Sequence, residues 1–326
     1  MIPEDGVRPS SVAALLLLSL LWACDVLKED LLPDLAPHVL PPIERQAVTF
    51  ALLTCLATLF ALLRKAEWPS VRHALTAIWT AVLIGLGLFV IPGGLVYLSE
   101  GSIPNSARAA WFMLVPVFAI VFEPYIGGKT DELNRVGLSA ALIAMLGALC
   151  VFSVRTPGSL AASTALGAVI LAAASIGAAN CMAVLAATGH TEKYGAPRIS
   201  TMPMAAIAGA TAAIASTIAS AFLEPARPTW NASTPELLWS AAVEAPGLLL
   251  LFWLMPRMSA PRTATRYVLA PLLAIVIGIV VSGSGAEVQP RTWLGLLLMA
   301  AGATWLLLAR KQEPTETTSP LNLLEK

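Results

Sequence analysis

Charged side chains are scarce in this sequence. Asp, Glu, Lys and Arg make up 12% of its 326 residues, against about 25% in an ordinary soluble domain. So few charges cannot coat a water-exposed globule, and the bilayer is the expected solvent. The 20 basic and 20 acidic residues cancel, which removes the net positive charge that points to a nucleic-acid partner. There are three histidines, His38, His73 and His190, and all lie between apolar runs. Neither HExxH nor a phosphate-cradling glycine loop occurs, so nothing marks a soluble active site, a metal centre or a bound cofactor. The four cysteines, Cys24, Cys55, Cys150 and Cys181, sit singly within apolar runs without zinc-type spacing and read as small packing residues.

Hydrophobic residues supply 57% of the chain, and the mean hydropathy is +0.76. A spanning helix needs about 20 mostly apolar residues. Ten segments qualify: 11–31, 44–63, 74–98, 104–126, 136–153, 165–187, 199–222, 235–255, 263–282 and 292–309. Between them run short, turn-rich connections such as "RKAEWPS", "GGKTDELN" and "RTPGS", none long enough for a soluble domain. The tail 311–326 is polar and is expected to be disordered. The N-terminal "LLWAC" has the look of a lipoprotein signal. Its preceding region carries Arg8 against Glu4 and Asp5, and Trp22 sits two residues before Cys24; both disfavour cleavage.

Basic residues set orientation. With the N-terminus in the cytoplasm, Arg8, Arg64, Lys65, Arg72, Lys129, Arg135, Lys193, Arg198, Arg257, Arg262, Arg310, Lys311 and Lys326 fall inside, while Lys28, Arg155, Arg227 and Arg291 fall outside. That excess supports ten spans with both termini cytoplasmic.

The chain also resembles itself. "LVPVFAIV" at 114–121 returns as "LAPLLAIV" at 269–276. The same offset of 155 sets Pro116 on Pro271, Pro42 on Pro197, Gly128 on Gly283, Gly147 on Gly302, Tyr97 on Phe252, Phe112 on Tyr267 and Asp25 on Asn180. Five spans per copy is an odd number, so the second copy enters the membrane from the opposite side. The expected architecture is all-α: ten transmembrane helices in two inverted five-helix repeats, 1–155 and 156–310. Inverted repeats recur in secondary transporters, with the solute site near the midplane between halves.

Ionisable groups inside a span are costly unless they face the bundle interior or water. Asp25 and its mate Asn180 either address one central cavity or join helices by hydrogen bonds. Glu244, two residues before Pro246-Gly247, is a place where a carrier can take up a proton; otherwise it is a neutral buried carboxyl, or a partner of Arg266. Arg45 either clamps an anionic group with its planar fork or pairs with Glu44 or Asp25. Arg108 and Arg266 read as snorkelling residues near span ends, and Glu123 as interfacial. Trp22, Tyr97, Trp111 and Phe252 are candidate cavity walls, and aromatic residues are equally at home at the membrane interface. Pro116 and Pro271 are candidate kinks, acting as gates or as inherited packing features. The sequon at Asn231 matters only in a eukaryotic secretory pathway.

These features resemble the drug/metabolite transporter superfamily, specifically EamA-like proteins. The resemblance rests on "LLWACDV" in the first span, "PPIERQAVTFALL" opening the second, "LVYLSEGSIPNSARAAWFMLVPVFAIVFEPYIGG" through the third and fourth, and "RVGLSAALIAMLGALCVF" in the fifth. It covers roughly residues 11 to 308. It implies a ten-helix, two-repeat multi-pass carrier in the inner or plasma membrane, with a central cavity and alternating access, whose partners are lipid and a small organic solute; a proton is a further partner only if Asp25 or Glu244 takes one up. A homo-oligomer is compatible with it. Asp25 stands where Asn is usual, Ser200 replaces the Arg of the second repeat, and "EAPGLLLLFWLMPRM" matches the eighth span poorly. An integral membrane enzyme on a lipid-linked substrate and a non-transporting scaffold or sensor are the competing readings.

Overall fold

A computed structural model describes residues 8–27, 41–66, 68, 74–127, 134–152, 159–189, 198–224, 234–282 and 288–308. Lys28, Pro197, Gly128, Gly283, the three histidines, Asn231 and the tail 311–326 lie outside the described residues.

The described chain is helical. In order the helices are α1 (Pro9–Val26), α2 (Pro42–Leu63), α3 (Ala74–Ser99), α4 (Asn105–Ile126), α5 (Arg135–Val151), α6 (Leu160–Thr188), α7 (Thr201–Leu223), α8 (Pro235–Leu254), α9 (Ala260–Val281) and α10 (Pro290–Leu308). Among the described residues, nine are long and apolar enough to cross a membrane. The exception, α5, has 17 residues, roughly 26 Å at 1.5 Å per residue. Leucines such as Leu16, Leu62, Leu75 and Leu297 stand exposed on the outside of the bundle. An exterior of that kind suits lipid and not water, and the chain is a helical integral membrane protein.

Local chemistry fixes several helix ends. Proline occupies the first turn of α1 and α2, where no intrahelical N–H is needed. The side chains of Asn134 and Ser159 accept hydrogen bonds from Gly137 N and Ala162 N to open α5 and α6. Gly189, at φ 79°, closes α6 in the left-handed conformation. The carboxylate of Glu224, just past α7, accepts from the Ile43 and Glu44 amides at 2.8 and 3.0 Å. It thereby caps α2 from the far half of the sequence.

Helix packing follows a regular scheme. The most extensive pairs are α2 with α7 and α5 with α10. In addition α3 packs on α6 as α8 packs on α1, α4 on α6 as α9 on α1, α3 on α7 as α8 on α2, and α4 on α5 as α9 on α10. Exchanging each helix for the one five places along leaves these pairs unchanged, while α6 with α9 and α7 with α8 pack without an equally extensive counterpart. Small residues let the backbones meet. A Cβ on Gly147 would lie 2.6 Å from Gly295 O and 2.7 Å from Met299 N, and one on Gly302 would lie 2.6 Å from Ala144 N.

Four helices are interrupted. Of the two prolines read as candidate kinks, Pro116 directly follows a break: α4 is interrupted at Met113–Leu114, and Pro116 enters the first turn of the resumed helix. Likewise α9 breaks at Thr265, and Pro271 lies within a continuing helix. The remaining two are π-helical turns, Leu86–Val90 in α3 and Ser240–Glu244 in α8. Each is followed at once by a helix with proline in its first turn, Pro92 and Pro246 respectively. Proline has no N–H to give and its ring crowds the carbonyl four residues back. Widening the preceding turn to i→i+5 bonds relieves both.

Candidate functional site

Two features lie on either side of α1. The first is a charge cluster at the end of the bundle where α1 finishes and α2 and α8 begin. Arg45, in the first turn of α2, is the hub. Its Nε donates to Glu244 Oε1 at 3.0 Å and its Nη2 stands 2.9 Å from the same oxygen. Nη2 also donates to both oxygens of Asp25 at 3.3 Å, and Nη1 reaches Glu236 Oε1 at 3.4 Å. The other oxygen of Glu244 accepts from the Thr49 hydroxyl and, at 3.0 Å, from that of Ser240. Trp239 Nε1 donates to Asp25 Oδ1 at 2.9 Å.

One guanidinium thus serves three carboxylates, with side-chain exposures of 28% for Asp25, 7% for Glu236 and 12% for Glu244. Charges so far removed from water need partners and hydrogen bonds on every side. The arrangement supplies them. The π turn positions it: Ser240, which opens that turn, and Glu244, which ends it, meet through their side chains.

The second feature is a cavity of roughly 300 Å³ lined by Trp22 and Val26 of α1, Ala109 and Phe112 of α4, Ile176 of α6, and Tyr267, Ala270 and Pro271 of α9. Its four helices form two pairs under the five-place exchange. Phe112 and Tyr267, matched by the 155-residue offset, face each other with ring centroids 6.3 Å apart and planes 20° from parallel. Trp22 meets Tyr267 edge-on at 5.6 Å.

The far end of the bundle is basic. Arg8 before α1 and Arg64 after α2 both lie within electrostatic reach of Arg257, between α8 and α9. Partial burial and the Arg64 and Arg8 charges hold Arg257 below the ordinary arginine range. Its guanidinium rests 3.8 Å from the centre of the Trp253 ring.

The expected site residues therefore divide. Asp25, Arg45 and Glu244 come together in the charge cluster. Trp22 and Pro271 line the cavity. Asn180 is fully buried and its Nδ2 donates to Ala260 O at 2.8 Å, joining α6 to α9. Phe252 is fully buried in the core near Phe89. Tyr97 and Pro116 do not line the cavity. The partner of Glu244 is Arg45 and not Arg266. Arg266 does not snorkel: it is 1% exposed. Sequence reasoning passed over Glu236, Trp239, Thr49 and Ser240. The pair "VIPGG" and "EAPGL", offset by 154 instead of 155, was the signal that marked both π turns.

None of the known protein-family profiles matches the chain. Over 107 residues it is 32% identical to the uncharacterized inner membrane transporter YedA of Escherichia coli strain K12, a stretch covering 32% of this chain and 34% of the relative. The YedA proteins of strains O6:H1 and O157:H7 match equally. The chain thus aligns with about a third of the length of these relatives. A solved crystal structure superposes with a TM-score of 0.68 at 18% identity, covering 94% of this chain and 100% of its own. At that identity the likeness carries the fold alone, and it extends over nearly the whole bundle.

Proposed function

We propose that this chain is a secondary carrier of the EamA-like drug/metabolite type, moving a small organic solute by alternating access. Ten spans, read as two inverted repeats at 1–155 and 156–310, sit in the inner membrane with both termini cytoplasmic. The observation that carries the reading is the cavity. It is an open hollow lined by residues of α1, α4, α6 and α9, the helices that exchange under the five-place rule, and a solute site between repeats belongs there. The symmetric helix pairing and the facing Phe112 and Tyr267 rings support the repeats. The basic end formed by Arg8, Arg64 and Arg257 supports the orientation. The partial match to YedA supports transport.

In this reading the charge cluster is the coupling site. Asp25, Glu236 and Glu244 share Arg45, and a proton on one of them frees the guanidinium for the others. Protonation loosens the tie between α1, α2 and α8, so proton occupancy biases which side of the carrier opens. The test is uptake of a solute panel into vesicles reconstituted with the full chain, with and without an inward acid gradient. Gradient-driven accumulation is expected, falling to the gradient-free level in Glu244→Gln and in Asp25→Asn with folding intact. Flux of no solute overturns the carrier reading, and undiminished gradient-driven flux in both variants overturns the coupling site.

A further inference from the structure

Arg266 is a fully buried cation for which no neighbouring charge accounts. It is 1% exposed, and no salt bridge among the described residues includes it. Its Nη1 donates to Thr263 O at 3.1 Å and its Nη2 to the Tyr267 hydroxyl at 3.5 Å, while Nε has no hydrogen-bond partner. The guanidinium otherwise faces rings: its carbon lies 4.7 Å from the centre of Tyr267 and 5.2 Å from that of Trp22. Cation–π contacts offset part of the desolvation of such a group. They do not replace a counter-anion.

The same two rings form part of the wall of the cavity between α1, α4, α6 and α9, and every other lining residue is apolar. A lone buried guanidinium behind an aromatic wall, beside an apolar hollow, has the makings of an anion site in the resting state. We propose that the transported solute is an organic anion with a single carboxylate and an apolar body, and that Arg266 with the Tyr267 hydroxyl is the group that takes the carboxylate. The fork of Arg266 supplies two parallel donors. The Tyr267 hydroxyl, which accepts from Arg266, has its own hydrogen free for the ligand. The body fills the space bounded by Trp22, Phe112 and Ile176, whose roughly 300 Å³ matches the lower range of small-molecule sites.

The inference rests on the carrier reading, and its test separates the two. Isothermal titration of the detergent-solubilised full chain with benzoate, hexanoate and indole-3-acetate, each against its neutral amide, needs no variant. At least one acid is expected to bind tenfold or more tighter than its amide, once per chain. That preference should vanish in Arg266→Gln and recover in part in Arg266→Lys, which restores the charge without the fork. Filling the hollow with Ala270→Phe should abolish binding while Arg266 remains. Amides binding as well as acids, no acid binding at millimolar concentration, or an acid preference surviving in folded Arg266→Gln each overturn the proposal. Acid binding without flux in vesicles overturns only the carrier reading, and flux of a cationic or neutral solute without acid binding overturns only this one.

Discussion

Arg45 Nε and Glu244 Oε1 stand 3.0 Å apart although 199 residues separate them in the chain. The bond ties the first turn of α2 to the π turn of α8, and Asp25 and Glu236 share the same guanidinium. Removing Arg45 leaves three carboxylates to repel one another in a poorly hydrated place. Arg45→Ala is expected to destabilise the protein by about 2–4 kcal/mol, somewhat below a fully buried pair because the side chain is partly exposed. Arg45→Gln combined with Glu244→Gln should recover part of that loss. Thermal unfolding in detergent measures both, and a single variant as stable as the parent would show the cluster to be energetically idle.

Gly147 and Gly302 test the α5–α10 contact. A side chain at either position runs into backbone atoms within 2.7 Å, which cannot move aside without shifting a helix. Gly147→Val and Gly302→Val should each cost about 1–3 kcal/mol or reduce folded yield sharply. Gly167→Ala is the control. A Cβ there meets nothing within 4 Å, and the exchange inside a helix should be neutral or stabilising by up to about 1 kcal/mol.

Pro246→Ala restores an N–H and removes the clash that the π turn of α8 accommodates. The turn should relax towards α-helical bonding and rotate Ser240 and Glu244 relative to Arg45. The expected outcome is a loss of pH-dependent flux with near-normal folded yield. Pro116→Ala, at a first-turn position that proline already suits, should change flux little. Equal effects from both variants would show that the π turn is not what sets the cluster.

The basic end gives the orientation its test. In a background with the four cysteines replaced, Arg64→Cys and Arg257→Cys should react with a membrane-impermeant maleimide from the cytoplasmic face only. Labelling from the opposite face reverses the orientation.

The helices were legible because the bilayer leaves little choice: a segment must be long, apolar and internally hydrogen-bonded to lie in it. The match of Gly147 with Gly302 was visible at a fixed offset, and the structure places each against the other's helix. The charge cluster was legible only in part. Asp25, Arg45 and Glu244 stood out singly, but their meeting depends on packing between distant helices and on the π turn of α8, which brings Ser240 and Glu244 together. Arg266 was misread for a simpler reason. The ninth span was placed at 263–282 and begins at Ala260, so a residue assigned to the rim lies a turn deeper.

The helix pairing also constrains how the protein is made. The principal partners of α2 and α5 are α7 and α10, which leave the ribosome about 150 residues later. The glycine face of α5 therefore has no mate until the last hydrophobic segment has been inserted, and a chain truncated before α10 presents that face to lipid or to quality-control proteases. Neither half is expected to persist alone in the membrane, whereas two halves produced together from separate messages can meet and complete each other.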